Sequence, residues 1–236
     1  MMKQPTESGK IVKNATWLIA CKVVQSLLSF IIGTLSARYL GPGNYGIIDY
    51  AAAIVSFMVP VVQLGFRSTL VHEIIAAPDS EGRTLGTSLF MSTAASFLGI
   101  FGVIAFTAIA NPNDPETMLV CALYSISLVF QATEMLQYWF QAKLLSKYIA
   151  VASLAAYVIV SAYRCFLLIT QKSVYWFAFS QALDYLLISV SLYGIYRRIS
   201  KQKLTVSFSL AKQLFKRSRY YIVSSIMVTF FSLTDR

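Results

Sequence analysis

The sequence predicts an all-α integral membrane protein, built as a six-helix transmembrane lobe followed by the start of a seventh span. Hydrophobic residues make up 57% of the 236 residues and charged residues only 13%, whereas soluble domains are about a quarter charged. The apolar residues form long blocks, each sufficient for a helix to cross a ~30 Å hydrocarbon core. These blocks are too long for barrel strands and do not alternate strictly with polar residues, so helices are the predicted spanning elements.

The polar interruptions between the apolar blocks set the predicted order of elements. The six spans are predicted at 16–40, 47–66, 85–110, 117–140, 148–170 and 173–196. After the first span, Gly41 is predicted to end the helix and Pro42 to keep it from resuming. Gly43 and Asn44 suit the left-handed conformations of a tight turn. A short interfacial helix that ends before Pro78 is predicted between the second and third spans.

The composition of the chain changes after the sixth span. Residues 197–219 carry eight Lys or Arg residues and no acid. We therefore divide the chain into an N-terminal lobe (1–196), a basic cytoplasmic linker (197–219) and the start of a seventh span (220–236). Because the last apolar run meets Arg236 before it is long enough to cross a membrane, we expect this span to be truncated and the chain to be one half of a longer transporter.

The distribution of Lys and Arg predicts how the chain is oriented. Fifteen of them lie before the first span or in every second connecting segment, whereas the alternate segments hold only Arg38 and Lys172. Since basic residues stay on the cytoplasmic side, the N-terminus is predicted to be cytoplasmic and the turn at Gly41 external. The net charge of +10 is thus explained by topology and by contact with anionic membrane lipids, and we expect no nucleic-acid partner.

The sequence contains no recognisable catalytic or metal-binding motif. It has no Gly-rich phosphate loop of the ATPase type, no HExxH and no GxSxG. Cys21, Cys121 and Cys165 all fall inside apolar runs and are interpreted as small packing residues. The single histidine, His72, has no second His or Cys near it in the chain. We therefore expect no enzyme activity, no cofactor and no metal site.

Polar residues inside the predicted spans form stripes at helical spacing. Ionisable groups in a membrane are costly and usually face the bundle interior or a water-filled cavity. Steps of three, four or seven residues place such side chains on one face of five predicted spans. The stripes are Lys22, Gln25, Ser29, Gly33 and Ser36; Asp49, Ser56, Pro60 and Gln63; Ser127, Gln131, Glu134, Tyr138 and Gln141; Ser153, Tyr157, Ser161 and Arg164; and Gln181 with Asp184.

The residues alone leave two interpretations of these stripes open. In the first, they form interhelical hydrogen bonds and ion pairs, such as Lys22–Asp49 or Glu134–Arg164, that only hold the bundle together. In the second, they line a hydrated transport cavity, in which cations bind phosphate and carboxylates bind counter-ions or accept bonds from sugar hydroxyls. The candidate residues of this cavity are Lys22, Gln25, Asp49, Gln131, Glu134, Arg164 and Asp184.

The first two predicted spans resemble a known family. The matching features are an Asn-x-x-Trp entry at Asn14, an Ala-Arg-Tyr-Leu-Gly-Pro turn at residues 37–42, a Tyr-Gly pair at 45–46 and a Leu-Gly-Phe at 64–66. They are similar to the N-terminal half of the polysaccharide-export flippases, the Wzx-like (O-antigen) group of the multidrug/oligosaccharidyl-lipid/polysaccharide (MOP) superfamily. The outer-hairpin signature of the resemblance consists of Arg38, Gly41, Pro42 and Gly43.

The resemblance implies a multi-pass protein of the bacterial inner membrane that flips undecaprenyl-pyrophosphate-linked oligosaccharide outward by alternating access. It also implies that charged residues in a central cavity handle the substrate. The expected partners are the lipid-linked oligosaccharide, membrane lipids and a polysaccharide polymerase complex. Four alternatives stay open: a MATE-type cation-coupled multidrug exporter, a lipid II flippase, a membrane glycosyltransferase or acyltransferase, and a truncated remnant without transport activity.

Overall fold

The computed structural model of the chain describes residues 7–200 and 202–234. Lys3, Lys201 and Arg236, which the orientation and domain predictions use, lie outside the described residues. The described residues contain no strand, so the all-α prediction is confirmed for them. The helices are α1 (Glu7–Gln63), α2 (Phe66–Ala76), α3 (Glu81–Ala110), α4 (Pro115–Ser125), α5 (Ser127–Gln131), α6 (Met135–Ala142), α7 (Ser146–Ile169), α8 (Val174–Ile199) and α9 (Phe208–Thr234), with 3₁₀ turns at Pro78–Ser80 and Ala132–Glu134.

Helix α1 consists of two arms that meet at Gly41. This residue has φ 73° and ψ 170°, a conformation that residues with a Cβ rarely adopt. Lys22 on the first arm (7–40) lines a cavity together with Glu134, and Gln63 at the end of the second arm (42–63) donates a hydrogen bond to Glu134. A straight helix would hold Lys22 and Gln63 about 60 Å apart. The two arms therefore form a helical hairpin.

This hairpin is tighter than the sequence predicted. The first helix does end at Gly41, but Pro42 already begins the second arm. A proline fits the first position of a helix because its fixed φ suits the helix and its missing N–H would have had no partner there. Gly43 and Asn44 are helical rather than left-handed. The second predicted span, which was expected to start at Ile47, thus starts directly after the one-residue break.

The lengths and apolar character of the helices support a multi-pass membrane protein. Five segments of the described chain are long and apolar enough to cross a membrane: Thr16–Gln63, Pro78–Ala110, Pro115–Ala142, Ser146–Ile169 and Val174–Ile199. The first of them contains both arms of the hairpin. Large apolar side chains such as Phe30 and Phe101 are exposed on the outside of the bundle, as contact with lipid requires. The count of six spans plus a seventh stays a prediction.

Connections between helices gather at two ends of the bundle. At the end that holds Gly41, here called the hairpin end, the Tyr39 hydroxyl donates to the Lys172 carbonyl over 3.2 Å. The Asn111 side chain donates to the Tyr50 hydroxyl at the same end, over 2.9 Å. The opposite end, here called the basic end, carries exposed Lys and Arg side chains, among them Arg83, Lys143, Lys147, Arg197 and Arg198. The fold therefore separates the two groups of connections that the charge pattern distinguished.

A capped helix start closes the hairpin end. Asp114 accepts a hydrogen bond from the Thr117 hydroxyl over 2.5 Å and another from the Thr117 N–H over 3.0 Å. Both bonds hold the pKa of the Asp114 carboxyl below its usual value, and the bond from the hydroxyl contributes more than the bond from the backbone. Asp114 thus caps the start of α4, and the two bonds that it accepts favour its ionised form.

The chain after α8 is attached to the basic end. Residues 202–207 run without helix beside the start of α3, where the Gly82 N–H donates to the Gln202 side chain over 2.8 Å. Helix α9 then crosses the junction of α1 and α2 at Gly65, which has φ 64°. A Cβ on Gly65 would lie 2.8 Å from the Tyr221 Cβ, so only glycine allows this contact. Helix α9 runs unbroken across the predicted boundary between the linker (197–219) and the seventh span (220–236). The division into lobe, linker and seventh span stays a prediction.

Candidate functional site

One polar face of the first arm of α1 lines three cavities in succession. The face consists of Lys22, Gln25, Ser29, Gly33 and Ser36, the residues of the first predicted stripe. Because each helical residue rises 1.5 Å, Lys22 and Ser36 are about 21 Å apart along the arm. The cavities therefore form a polar path of roughly this length between the basic end and the hairpin end.

The cavity nearest the basic end, here called the basal cavity, has a volume of about 400 Å³ and contains two cations. Lys22 and Arg67 supply the charges, and glutamine amides and serine hydroxyls supply neutral donors. No carboxylate lines it among the residues that the structure describes. Such a donor set suits an anion with several oxygens, such as phosphate. The polar lining includes Lys22, Arg67, Gln25, Gln137, Gln141 and Ser146.

The next cavity, here called the central cavity, has a volume of about 370 Å³ and contains both signs of charge. It shares Lys22 with the basal cavity and adds the carboxylates of Glu134 and Asp184. The Glu134 carboxylate accepts a hydrogen bond from the Gln63 amide. One oxygen of Asp184 is buried and has no hydrogen-bond partner among the described residues. The polar lining includes Lys22, Gln25, Glu134, Gln137, Tyr157 and Asp184.

The third cavity, here called the hairpin cavity, has a volume of about 140 Å³ and lies between both arms of α1 and helices α4, α7 and α8. Arg164 is held there by two side chains: its Nε donates to Ser180 over 2.8 Å and its Nη2 donates to Gln181 over 3.3 Å. The carboxylate in this cavity belongs to Asp49. The cavity is also lined by Gly33, Ser36, Tyr45, Tyr124 and Phe177.

The predicted candidates fall into these cavities with one exception. Lys22, Gln25, Glu134 and Asp184 line the central cavity, and Asp49 and Arg164 line the hairpin cavity. Gln131 lines none of the three; it is buried, and its amide donates to the Ser127 hydroxyl over 3.3 Å. The assignment of the remaining candidates to substrate handling stays a prediction.

The ion pairs that the sequence offered as an alternative are not formed across these cavities. Lys22 and Asp49 lie in different cavities, and so do Glu134 and Arg164. Among the described side chains, ion pairs join Lys143 to Glu81 over 2.6 Å and Arg217 to Glu73. Both of those pairs lie outside the three cavities. The charges within the cavities are therefore not neutralised by direct pairing with one another.

The structure adds Gln137 to the predicted stripe. That stripe stepped from Glu134 to Tyr138, four residues further on. Gln137 lies three residues after Glu134, and on an α-helix this spacing shares a face just as well. Gln137 lines the basal and central cavities, while the Tyr138 hydroxyl lies 3.5 Å from the Gln63 side chain to which it donates.

Arg67 was not predicted to line a cavity, because its place in a predicted loop indicated only a cation that orients the chain. Its position two residues after the left-handed Gly65 turns it toward the basal cavity.

The residues of the outer-hairpin signature lie outside the cavities. Arg38, Gly41, Pro42 and Gly43 line none of the three cavities. Gly41 forms the turn of α1, and Pro42 and Gly43 begin its second arm.

The described residues show no arrangement suited to a metal ion. Within 7–200 and 202–234, no group of three or more His, Cys, Asp or Glu side chains is placed to hold one. The thiols of Cys21 and Cys121 are free and buried. They pack within the bundle as small apolar groups.

Comparison with protein families gives one match. The model of a family described as "Polysaccharide biosynthesis protein" matches residues 11–236, which is nearly the whole chain. The match includes all three cavities and α9. No significant match was found among curated proteins or among solved structures.

Proposed function

The chain belongs to the polysaccharide biosynthesis protein family, and we propose that it flips an undecaprenyl-pyrophosphate-linked oligosaccharide across the bacterial inner membrane. Membership of the family and several membrane-spanning helices support a transporter role in polysaccharide synthesis. The observation that carries the finer proposal is the order of charges along the polar face of α1. Among the described residues, the basal cavity has cations and no carboxylate, and the other two cavities have both signs of charge.

This order of charges fits the two chemically different parts of such a substrate. A diphosphate carries negative charge and accepts hydrogen bonds, so Lys22 and Arg67 would bind it through charge-assisted bonds. Sugars carry neutral hydroxyls that donate as well as accept, so mixed sites with Glu134, Asp184, Asp49 and Arg164 would bind the oligosaccharide.

We further propose that transport proceeds by alternating access with the basic end in the cytoplasm. The positive-inside rule supports this orientation, because the exposed Lys and Arg side chains gather at that end. On this proposal the substrate enters at the basal cavity and leaves beyond the hairpin cavity. The side chains of the path bind and release the substrate without covalent chemistry. A polysaccharide polymerase that receives the flipped unit stays a predicted partner.

The test is a null mutant of the host. We expect lipid-linked repeat units to accumulate on the cytoplasmic face of the membrane and surface polysaccharide to disappear. Expression of the native protein should restore export, whereas the Lys22→Gln, Arg67→Gln variant should not, at equal protein level. Normal polysaccharide in the null mutant would contradict the proposal.

A cation-coupled drug exporter is the second candidate, and the central cavity favours it. Glu134 and Asp184 bring two carboxylates into one cavity, and an Asp184 oxygen has no protein partner among the described residues. Such a site could hold a coupling cation. The same null mutant separates the two functions, since unchanged polysaccharide together with raised drug sensitivity would support the exporter.

A further inference from the structure

The hairpin cavity contains chemistry that phosphate binding does not explain. Its two charged groups, Asp49 and Arg164, have opposite signs, and no further ionised side chain lines it among the described residues. A phosphate would meet the negative carboxylate, and a simple cation would meet the guanidinium. A neutral ligand that both donates and accepts hydrogen bonds meets neither conflict.

Hydrogen-bonding groups in this cavity are left free. Arg164 uses two of its N–H groups on Ser180 and Gln181, and a guanidinium has five such donors. The Ser36 hydroxyl is only 7% exposed and has no hydrogen-bond partner among the described residues. A buried hydroxyl without a partner is costly, and one that lines a cavity is positioned to bond with a polar occupant.

Aromatic rings form the other part of the lining. Tyr45 on the second arm of α1, Tyr124 on α4 and Phe177 on α8 all contribute. Phe177 is fixed by Tyr39, with ring centroids 5.9 Å apart. Aromatic faces pack well against the C–H groups of a sugar ring, whose hydroxyls point to the sides. The volume of about 140 Å³ has the size of a single sugar ring.

We propose that the hairpin cavity is a binding subsite for one sugar ring of the transported oligosaccharide. Arg164 and Ser36 bond to its hydroxyls, Asp49 accepts from them, and the aromatic side chains cover its ring. This inference rests on the proposed function and assigns the sugar and the diphosphate to separate places. Lys22 and Ser36 are about 21 Å apart along α1, so an oligosaccharide rather than a disaccharide can occupy both places together.

Glycine 33 offers a direct way to fill the cavity. A Cβ at Gly33 would meet no heavy atom within 4 Å, and its backbone is ordinary helix, so a side chain there enters the cavity without a clash. Gly194 on α8 has equally free space but lines none of the three cavities. The Gly33→Leu variant therefore tests the subsite, and the Gly194→Leu variant is its matched control.

The experiment compares two probes on purified protein in detergent: undecaprenyl pyrophosphate, and undecaprenyl pyrophosphate that carries the repeat-unit oligosaccharide of the host. The leucine side chain should keep the sugar ring from its bonds to the charged groups of the cavity. Because each such bond is worth about a tenfold change in affinity, we expect Gly33→Leu to weaken binding of the second probe about tenfold and to leave binding of the first probe unchanged. Gly194→Leu should bind both probes like the unmodified protein. The Asp49→Asn variant, which keeps the side-chain volume, should show a smaller loss of the same kind.

The outcomes separate this inference from the function on which it rests. If Gly33→Leu and Asp49→Asn bind both probes normally, the subsite is wrong and the flippase proposal stands. An equal loss for both probes would also overturn the subsite, because the cavity would then serve the lipid or the diphosphate. If the unmodified protein binds neither probe, the proposed function fails and the subsite fails with it.

Discussion

The basal cavity and the hairpin cavity are lined by the same face of one helix, but they differ in charge and in shape. The basal cavity holds Lys22 and Arg67 with no carboxylate among its described lining and has a volume of about 400 Å³. The hairpin cavity has about a third of that volume, contains the opposite charges of Asp49 and Arg164, and has aromatic walls. On the proposed function, the first arm of α1 thus presents a site for anions at one end and a site for neutral polar groups at the other.

On the proposed function, this difference lets the chain recognise a substrate with two chemically distinct parts. Charge-assisted bonds at the basal cavity act on any diphosphate and do not discriminate between sugars. Shape and hydrogen bonding at the hairpin cavity discriminate between neutral groups, because an unmatched buried polar group there stays unpaired. Affinity for the carrier and selectivity for the sugar are therefore assigned to different ends of the path.

The largest expected effect comes from removal of the basal charges. In the Lys22→Gln, Arg67→Gln variant we expect binding of both probes to fall about 100-fold, as each charge-assisted contact contributes about tenfold. Isothermal titration with each probe measures this. The control is Lys147→Gln, since Lys147 lies at the same end, 5.5 Å from the Trp17 ring and outside the cavity. A loss confined to the glycosylated probe would reverse the assignment of the two cavities.

The Arg164→Lys variant tests the hairpin cavity with its charge retained. A lysine cannot reproduce the planar fork that bonds to Ser180 and Gln181, so we expect about a tenfold loss for the glycosylated probe alone. Lys172→Arg, a change of the same kind at the hairpin end but outside the cavity, should have no effect. If Arg164→Lys binds both probes like the unmodified protein, only the charge at this position matters, and the guanidinium donors of Arg164 do not bind the sugar.

A pair of glutamine variants tests which glutamine of the fourth predicted span binds the substrate. Gln137 lines the basal and central cavities, and Gln131 lines neither. We expect Gln137→Leu to weaken binding of undecaprenyl pyrophosphate about fivefold, the value of one neutral hydrogen bond, and Gln131→Leu to leave it unchanged. The same binding assay measures both. The opposite result would place Gln131 rather than Gln137 at the binding site.

The smallest expected effect is that of salt. Ions screen charges, and the Debye length falls from about 10 Å at 0.1 M to about 3 Å at 1 M. Binding of undecaprenyl pyrophosphate should weaken a few-fold over this range. The ratio of the affinities for the two probes should stay constant. Titrations at several salt concentrations measure that ratio. A ratio that falls with salt would show that the sugar is held mainly by charge.

The sequence located the helices well because hydropathy is a local property. Predicted bounds such as 85–110 and 148–170 match α3 and α7 within a few residues, since an apolar block long enough to span a bilayer must satisfy its backbone as a helix. The stripe on the first arm of α1 was equally readable, because that arm is a regular helix with a period of 3.6 residues. The turn at Gly41 was located correctly, although its single-residue geometry was not foreseen.

Errors arose where a prediction depended on neighbours in space. The stripe passed over Gln137, because Gln137 and Tyr138 both fit the helical spacing from Glu134 and spacing alone does not choose between them. The place of Arg67 depends on the left-handed pair Leu64 and Gly65, where α9 packs directly against the backbone. Gln131 looked like a cavity residue by spacing, but Ser127 satisfies its amide within the bundle.

By itself the sequence determined the all-α membrane character, the separation of basic residues to one side and the polar face of α1. These follow from composition and periodicity, which need no knowledge of contacts. Only the tertiary structure decided which charges share a cavity: Lys22 lies with Glu134 and Asp184, and Asp49 lies with Arg164. The physical reason is that periodicity assigns a side chain to a face of its own helix, whereas the partner across that face is set by how the helices pack.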